Sequence, residues 1–101
     1  MPFPFSDLSR SKLRPAVVLA ETSRQDFVLC QVTSNPYSDP DAIELTDQSF
    51  AVGSLQRTSY ARPGKLFTAN EELFEGVAGQ LDADAHREIV DGVVALLRAG
   101  Q

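Results

Sequence analysis

The sequence predicts a mostly β fold finished by one C-terminal helix, in the form of a small open barrel or roll. Short apolar runs with alternating faces recur between turn-forming residues from Ala16 to Thr68, the pattern of strands that bury one side. The C-terminal segment changes to a helical period. At 101 residues the chain reads as one domain (residues 1–101), large enough for a real but small core.

Phe3 and Phe5 alternate with Pro2 and Pro4, which gives an extended, irregular start. Ser6 to Arg14 is polar and basic, with Arg10, Lys12 and Arg14 at alternate positions, and reads as a loop. Pro15 ends it and pushes Arg14 toward extended backbone. Ala16 to Ala20 is a short buried strand. Asp26 to Ser34 alternates, placing Val28, Cys30 and Val32 on one face and Phe27, Leu29, Gln31 and Thr33 on the other. The second face turns polar, so the strand end emerges from the core. Asn35, Pro36, Ser38, Asp39 and Pro40 form a turn-rich loop, and Ala42 to Leu45 a short strand. Leu55–Arg62 and Lys65–Thr68 read as two strands joined across Pro63-Gly64, the proline placing the first at an edge or a strand end. In the helix, His86, Ile89, Val90, Val93, Leu96 and Leu97 share one face. Asp82 suits the N-cap, Asp84 and Arg98 match the dipole ends, and Gly100 follows the last turn.

Composition narrows the classes. A single cysteine, Cys30, excludes an internal disulfide and a cysteine-rich metal site. The apolar runs fall far short of the ~20 residues of a spanning helix, and the start lacks the basic, apolar pattern of a signal peptide. The expectation is a soluble, cytoplasmic protein without a membrane partner. A net charge of −5 argues against nucleic acid, but its distribution softens that objection. Residues 1–69 carry seven basic and seven acidic side chains; residues 70–101 carry two and seven. An anion-binding surface therefore belongs to the first two-thirds, and the acidic remainder to solvent.

No P-loop, HExxH, GxSxG or zinc spacing is present, and nothing calls for a metal or cofactor. The lone histidine, His86, sits on the apolar helix face and reads as structural. Chemistry here would have to use Arg, Lys, Thr, Ser, Tyr or carboxylates. Arg14, restrained by Pro15, can present paired donors to a phosphate; equally it is a surface arginine at a strand start. Arg10 and Lys12 are loop charges able to touch a nucleic-acid backbone. Thr33, followed by Ser34 and Asn35, can orient a phosphate or a ribose hydroxyl, or is a β-former entering a turn. Arg62 precedes Pro63 as Arg14 precedes Pro15, and with Lys65 extends a positive rim or guards an edge strand. Cys30 is a core residue, and Glu71, Glu72 and Glu75 read as a solvated helix face.

PFPFSDLSRSKLRPAVVLA resembles the signature region of the PemK/MazF-like toxins, in which a first strand leads through a basic loop into Arg-Pro and a hydrophobic strand. FVLCQVTSNPY is similar to the family's next strand, which ends in a threonine. AIEL, GSLQRTSYARPGKLFTAN and the G-x-L before the helix are similar to the rest of the domain. RPAVVL alone is weakly specific; RPAVVL, VTSN and KLFT in this order are stronger. The resemblance covers nearly the whole chain.

The resemblance implies an SH3-like barrel of the CcdB/MazF type, forming a homodimer, with its first strand shortened because relatives carry a Gly-Asp-hydrophobic stretch before PFPF. It implies the toxin of a type II toxin–antitoxin pair, a metal-independent, sequence-selective endoribonuclease cutting single-stranded RNA by 2′-OH attack. Arg14 and Thr33 match the family's catalytic positions. Arg10, Lys12, Ser34, Arg62 and Lys65 are the expected RNA contacts, and a cognate antitoxin the expected protein partner. The nearest counterpart of an Arg-x-Asp element of some members is Tyr60-Ala61-Arg62, which lacks the aspartate, so that the element is not carried over as such and Arg62 is at most a substitute. The same barrel also admits non-catalytic members: a gyrase-poisoning toxin, or a shortened remnant that only binds an antitoxin. A plain SH3-like binding module would show a denser aromatic patch than Phe3, Phe5, Tyr37 and Tyr60.

Overall fold

The computed structural model describes residues 2–9, 12–36, 38–55 and 57–100, and the backbone alone for 2–9, 12–14, 75 and 78. The described strands are β1 (Pro2–Ser9), β2 (Lys12–Ser23), β3 (Asp26–Thr33), β4 (Ile43–Leu45), β5 (Phe50–Gly53), β6 (Ser59–Asn70) and β7 (Phe74–Leu81), followed by helix α1 (Ala83–Ala99). They form one sheet in the order β4-β6-β3-β2-β1-β7-β5, and every described pair is antiparallel.

Chain connectivity forces this sheet to curl. β4 and β5 are its two edges, yet only residues 46–49, including the 3₁₀ turn Asp47–Ser49, separate them. Laid flat, seven strands would hold the edges ~29 Å apart, whereas the chain from Leu45 to Phe50 spans at most ~18 Å. The result is a half-barrel of mostly β structure. Among the described residues, no helix is long and apolar enough to cross a membrane.

Both faces of the curled sheet are covered. On one side Val17, Cys30, Val32, Leu45, Ala61 and Leu81 pack with Ile89 of α1. On the other, Ala16, Val18, Leu29 and Ala69 are buried under Phe27, Phe67 and Phe74. The alternation along β3 accounts for this, since both of its faces are apolar in the middle. α1 is set by its caps: the Asp82 carboxylate accepts from the Ala85 amide at 2.7 Å, and Gly100 closes the last turn. Gly92 lets it approach closely, because a Cβ there would lie 3.1 Å from Ile43 Cδ1 and 3.3 Å from Pro63 Cγ.

Several segments differ from the sequence expectations. The loop expected over Ser6 to Arg14 is largely a hairpin, with Ser6 opposite Arg14 and Ser9 opposite Lys12; its polarity marks a ladder running beyond the core. β1 has eight residues and pairs with both β2 and β7. The two strands expected around Pro63-Gly64 are one strand, β6. Cys30 pairs with Leu66 and Val32 with Ala61, so residues 62–65 bulge opposite the single residue Gln31, and the proline needs no ladder bond there. The Glu71/Glu72/Glu75 run is not a helix face: residues 71–73 make one 3₁₀ turn capped by Asn70, and Glu75 lies in β7.

Candidate functional site

β2 and β3 pair through Ala16↔Gln31 and Val17↔Cys30. The recorded pairing ends there, with Arg14 two residues before Ala16 on β2 and Thr33 two residues after Gln31 on β3. On the outer sides Arg14 pairs with Ser6 of β1, and Thr33 with Tyr60 of β6, which in turn pairs with Glu44 of β4. Residues opposite one another in an antiparallel ladder share a face. Thr33, Tyr60 and Glu44 therefore form one row across β3, β6 and β4. Leu29 fixes which face it is, because it shares the parity of Thr33 on β3 and belongs to the core away from α1. α1, with Asp84, Glu88 and Asp91 exposed on it, packs against the opposite face.

The Thr33 hydroxyl already serves the turn that follows. It donates to the Asn35 carbonyl at 3.0 Å and accepts from the Asn35 amide at 3.1 Å. A hydroxyl has one hydrogen and two lone pairs, so what remains for a ligand is one lone pair. Ser34, next along, is exposed.

Arg62 lies in the β6 bulge, and its Nε donates to Asp39 Oδ2 at 2.9 Å, with the two side chains 18% and 13% exposed. Asp39 also accepts from the Asp41 amide at 2.9 Å. Its carboxyl is held below the usual aspartate value, first by the Arg62 hydrogen bond and next by the Asp41 amide. A smaller opposing effect of burial follows, and the Arg62 and Lys65 charges add to the lowering. Arg62 thus meets the candidate surface as half of an ion pair. Lys65 is exposed. Lys12 opens β2 opposite Ser9. Arg10 and Tyr37 lie outside the described residues.

His86 and Cys30 stand apart from this row. His86 Nε2 lies 3.1 Å from the Val18 carbonyl, which can only accept, so Nε2 carries the hydrogen. That carbonyl borders the shift in β2–β3 register between Val18 and Ala20. Cys30 Sγ donates to the Arg62 carbonyl at 3.1 Å. Burial pushes this thiol up to about 11, and its bond to Arg62 only partly opposes that. Both side chains satisfy carbonyls at irregular points of the sheet.

A cavity of about 770 Å³ between the ends of β4 and the start of β6 is lined by Asp47, Gln48, Phe50, Leu55 and Arg57. Phe50 and Leu55 pack against the α1-side core, so this cavity belongs to that side of the sheet and not to the row of Thr33, Tyr60 and Glu44. Among the described residues, no group of three or more His, Cys, Asp or Glu could hold a metal ion.

The sequence placed Asp39 only in a turn-rich loop and gave Tyr60 no site role. No local signal links Asp39 to Arg62. Tyr60 becomes visible only through the Thr33↔Tyr60 register.

No family model matches the sequence, and no curated protein does. The fold, however, is shared with solved toxins. The Mycobacterium tuberculosis toxin MazF-mt6 superposes with a TM-score of 0.78 at 13% identity, over 97% of each chain. An endoribonuclease from a mycobacterial species in complex with its cognate antitoxin gives 0.74 at 14% identity, over 96% of this chain and 89% of that one. A mycobacterial endoribonuclease gives 0.74 at 14%, over 96% and 88%. At these TM-scores, over nearly the whole of each chain, the chain has the fold of the MazF-type toxins.

Proposed function

We propose that this protein is a PemK/MazF-like toxin, a metal-independent endoribonuclease that cuts single-stranded RNA and is restrained by a cognate antitoxin. The observation that carries the reading is the pairing of β2 with β3 through Ala16↔Gln31, which makes neighbours of the strand that carries Arg14 and the strand that ends in Thr33. The fold shared with solved endoribonucleases supports it, as does the antitoxin bound to one of them.

In the proposed reaction the ribose 2′-oxygen attacks the adjacent phosphorus, and the bond from phosphorus to the 5′-oxygen breaks. The products are a 2′,3′-cyclic phosphate and a 5′-hydroxyl; the 2′ proton leaves and the 5′-oxygen gains one. Negative charge builds on the phosphoryl oxygens, and a guanidinium fixed beside them stabilises it without metal assistance. Thr33 suits the nucleophile better than the phosphate. Its hydrogen is committed to Asn35, and a remaining lone pair accepts from a 2′-OH but repels an anionic oxygen. Tyr60, beside Thr33, offers a ring on which an unstacked base rests. Lys65, Lys12, Arg10 and Ser34 supply backbone contacts around the row. Two copies of the chain assemble as a homodimer in this reading, in the cytoplasm where RNA is met.

The test is cleavage of single-stranded RNA by the purified protein in the presence of EDTA, with end-mapping of the products. Arg14→Ala loses ~10²–10³ in rate, the typical cost of one oxyanion donor, with its fold unchanged by circular dichroism; Thr33→Ala loses less. Wild-type rates in Arg14→Ala would refute the assignment.

A further inference from the structure

Arg62 is held on the sheet face that Thr33 and Tyr60 share. On β6, Ala61 packs into the α1-side core, and a Cβ on Gly92 of α1 would lie 3.3 Å from Pro63 Cγ. Arg62, between them, therefore points the opposite way, as Tyr60 does two residues earlier. Burial alternates accordingly, with Ser59, Ala61 and Pro63 buried and Tyr60 and Arg62 partly so. Asp39 fixes one corner of the planar guanidinium: Nε donates to Oδ2 at 2.9 Å, while Oδ1 accepts from the Asp41 amide at 2.9 Å. The carboxylate cannot turn without breaking one of these bonds, so the plane of the guanidinium is set.

The charges around Arg62 disfavour a phosphate. Asp39 offsets its cation, and a lowered pKa keeps that carboxyl ionised at neutral pH. Lys65 acts on Asp39 as well, and Glu44 stands opposite Tyr60 on β4. Together these four side chains sum to no net charge. A nucleobase is neutral and loses nothing by that. It needs a flat ring to rest on and a directed set of donors, which Tyr60 and Arg62 supply from one strand. A guanidinium pairs two N–H donors with two acceptors side by side. Guanine has them in O6 and N7, the commonest arginine contact among the bases. Adenine and uracil put a donor beside the acceptor, and the single ring of cytosine covers less of Tyr60.

We propose that Arg62 reads guanine in the RNA: with the base stacked on Tyr60, two guanidinium N–H groups donate to O6 and N7 while Asp39 holds the group in plane. This rests on the ribonuclease reading above and assigns one base of its substrate. Arg62 selects the sequence, and Asp39 is its positioning residue.

The test is a randomised single-stranded RNA library cut by the purified full-length chain, with the cut sites sequenced. Wild type cuts with guanine at one fixed position, favoured roughly 5- to 150-fold over adenine, the discrimination of one bidentate contact. Arg62→Lys keeps a cation for Asp39 but loses the fork, so that ratio falls to about one. Asp39→Asn keeps an acceptor for Nε and removes the offset. Arg62 then also attracts phosphates, so the guanine ratio drops and KM rises more steeply with salt than in wild type. A wild type indifferent to guanine overturns the proposal. So does an Arg62→Lys chain that retains the ratio, because a loss shared equally by every sequence marks a backbone contact. Asp39→Asn with the ratio and salt dependence of wild type overturns it as well, whatever the folding of Arg62→Lys. If wild type cuts no RNA at all, the ribonuclease reading and this proposal fall together, whereas cutting without regard to guanine leaves that reading standing.

Discussion

Arg62 and Asp39, 23 residues apart in the chain, meet at 2.9 Å and tie the loop after β3 to the bulge of β6. Because Thr33 ends β3, this ion pair fastens the segment leaving the candidate site. Asp39→Asn removes the carboxylate charge from this pair, and the variant is less stable than wild type at neutral pH. The folded-state value of Asp39 lies below its usual 3.8. The stabilisation is therefore fully present above that usual value, and is lost as pH falls through the lowered folded one. Denaturant titrations of both proteins should separate at neutral pH and converge in acid.

The β2–β3 hairpin turns through Arg24 and Gln25, with φ of 48° and 69°. Both lie in the left-handed region that a two-residue hairpin demands and that side chains disfavour. Neighbouring groups hold the turn: the Glu71 amide donates to the Gln25 carbonyl at 2.8 Å, and Asn70 Nδ2 donates to Asp26 Oδ1 at 2.9 Å. Gln25→Gly relieves the strain and keeps the backbone bond. Stability rises by ~0.5–1 kcal/mol, read as a higher denaturant midpoint at unchanged slope.

Gly79 marks where β7 meets the edge strand β5. A Cβ there would sit 2.5 Å from the Val52 carbonyl oxygen and 3.2 Å from the Phe50 ring. Backbone cannot yield as a side chain does, so Gly79→Ala costs ~1–3 kcal/mol by overpacking. Thermal unfolding checks it.

Cys30 combines full burial, a bond to the Arg62 carbonyl and a pKa raised by burial to about 11. The thiolate is the reactive species, so native protein stays unmodified by iodoacetamide at mildly alkaline pH. Denatured protein reacts fully. Mass spectrometry after each treatment distinguishes the two.

These residues show where sequence was a sufficient guide. α1 was legible down to Asp82 and Gly100, because caps and a helical period are local. β3 was legible to within a residue, because its alternation is unbroken. What escaped depends on irregular pairing. Pro63 reads as a break, but a bulge removes it from the ladder. Arg24-Gln25 carries no glycine or asparagine to announce a tight turn, and Glu71 to Glu75 is a 3₁₀ turn feeding a strand. For the candidate site, Arg14 and Thr33 came from spacing and resemblance, whereas the adjacency of their two strands required the pairing. Asp39 matters through Arg62, a partner remote in sequence, which no periodicity records.

Thr33 offers the cleanest separation of structural and chemical roles. Its hydroxyl bonds twice to Asn35 in an exposed turn, where one such interaction contributes only ~0.5–1.5 kcal/mol. Thr33→Ser keeps the hydroxyl and should match wild type in stability and in RNA cleavage. Thr33→Val keeps the β-branched shape and removes the oxygen. If that oxygen serves only the turn, Thr33→Val loses a little stability and no rate. If its free lone pair also holds the 2′-OH, the rate falls ~10–100-fold, with the same small change in unfolding. Measuring both on one pair of variants tells whether the end of β3 is a turn alone or part of the chemistry.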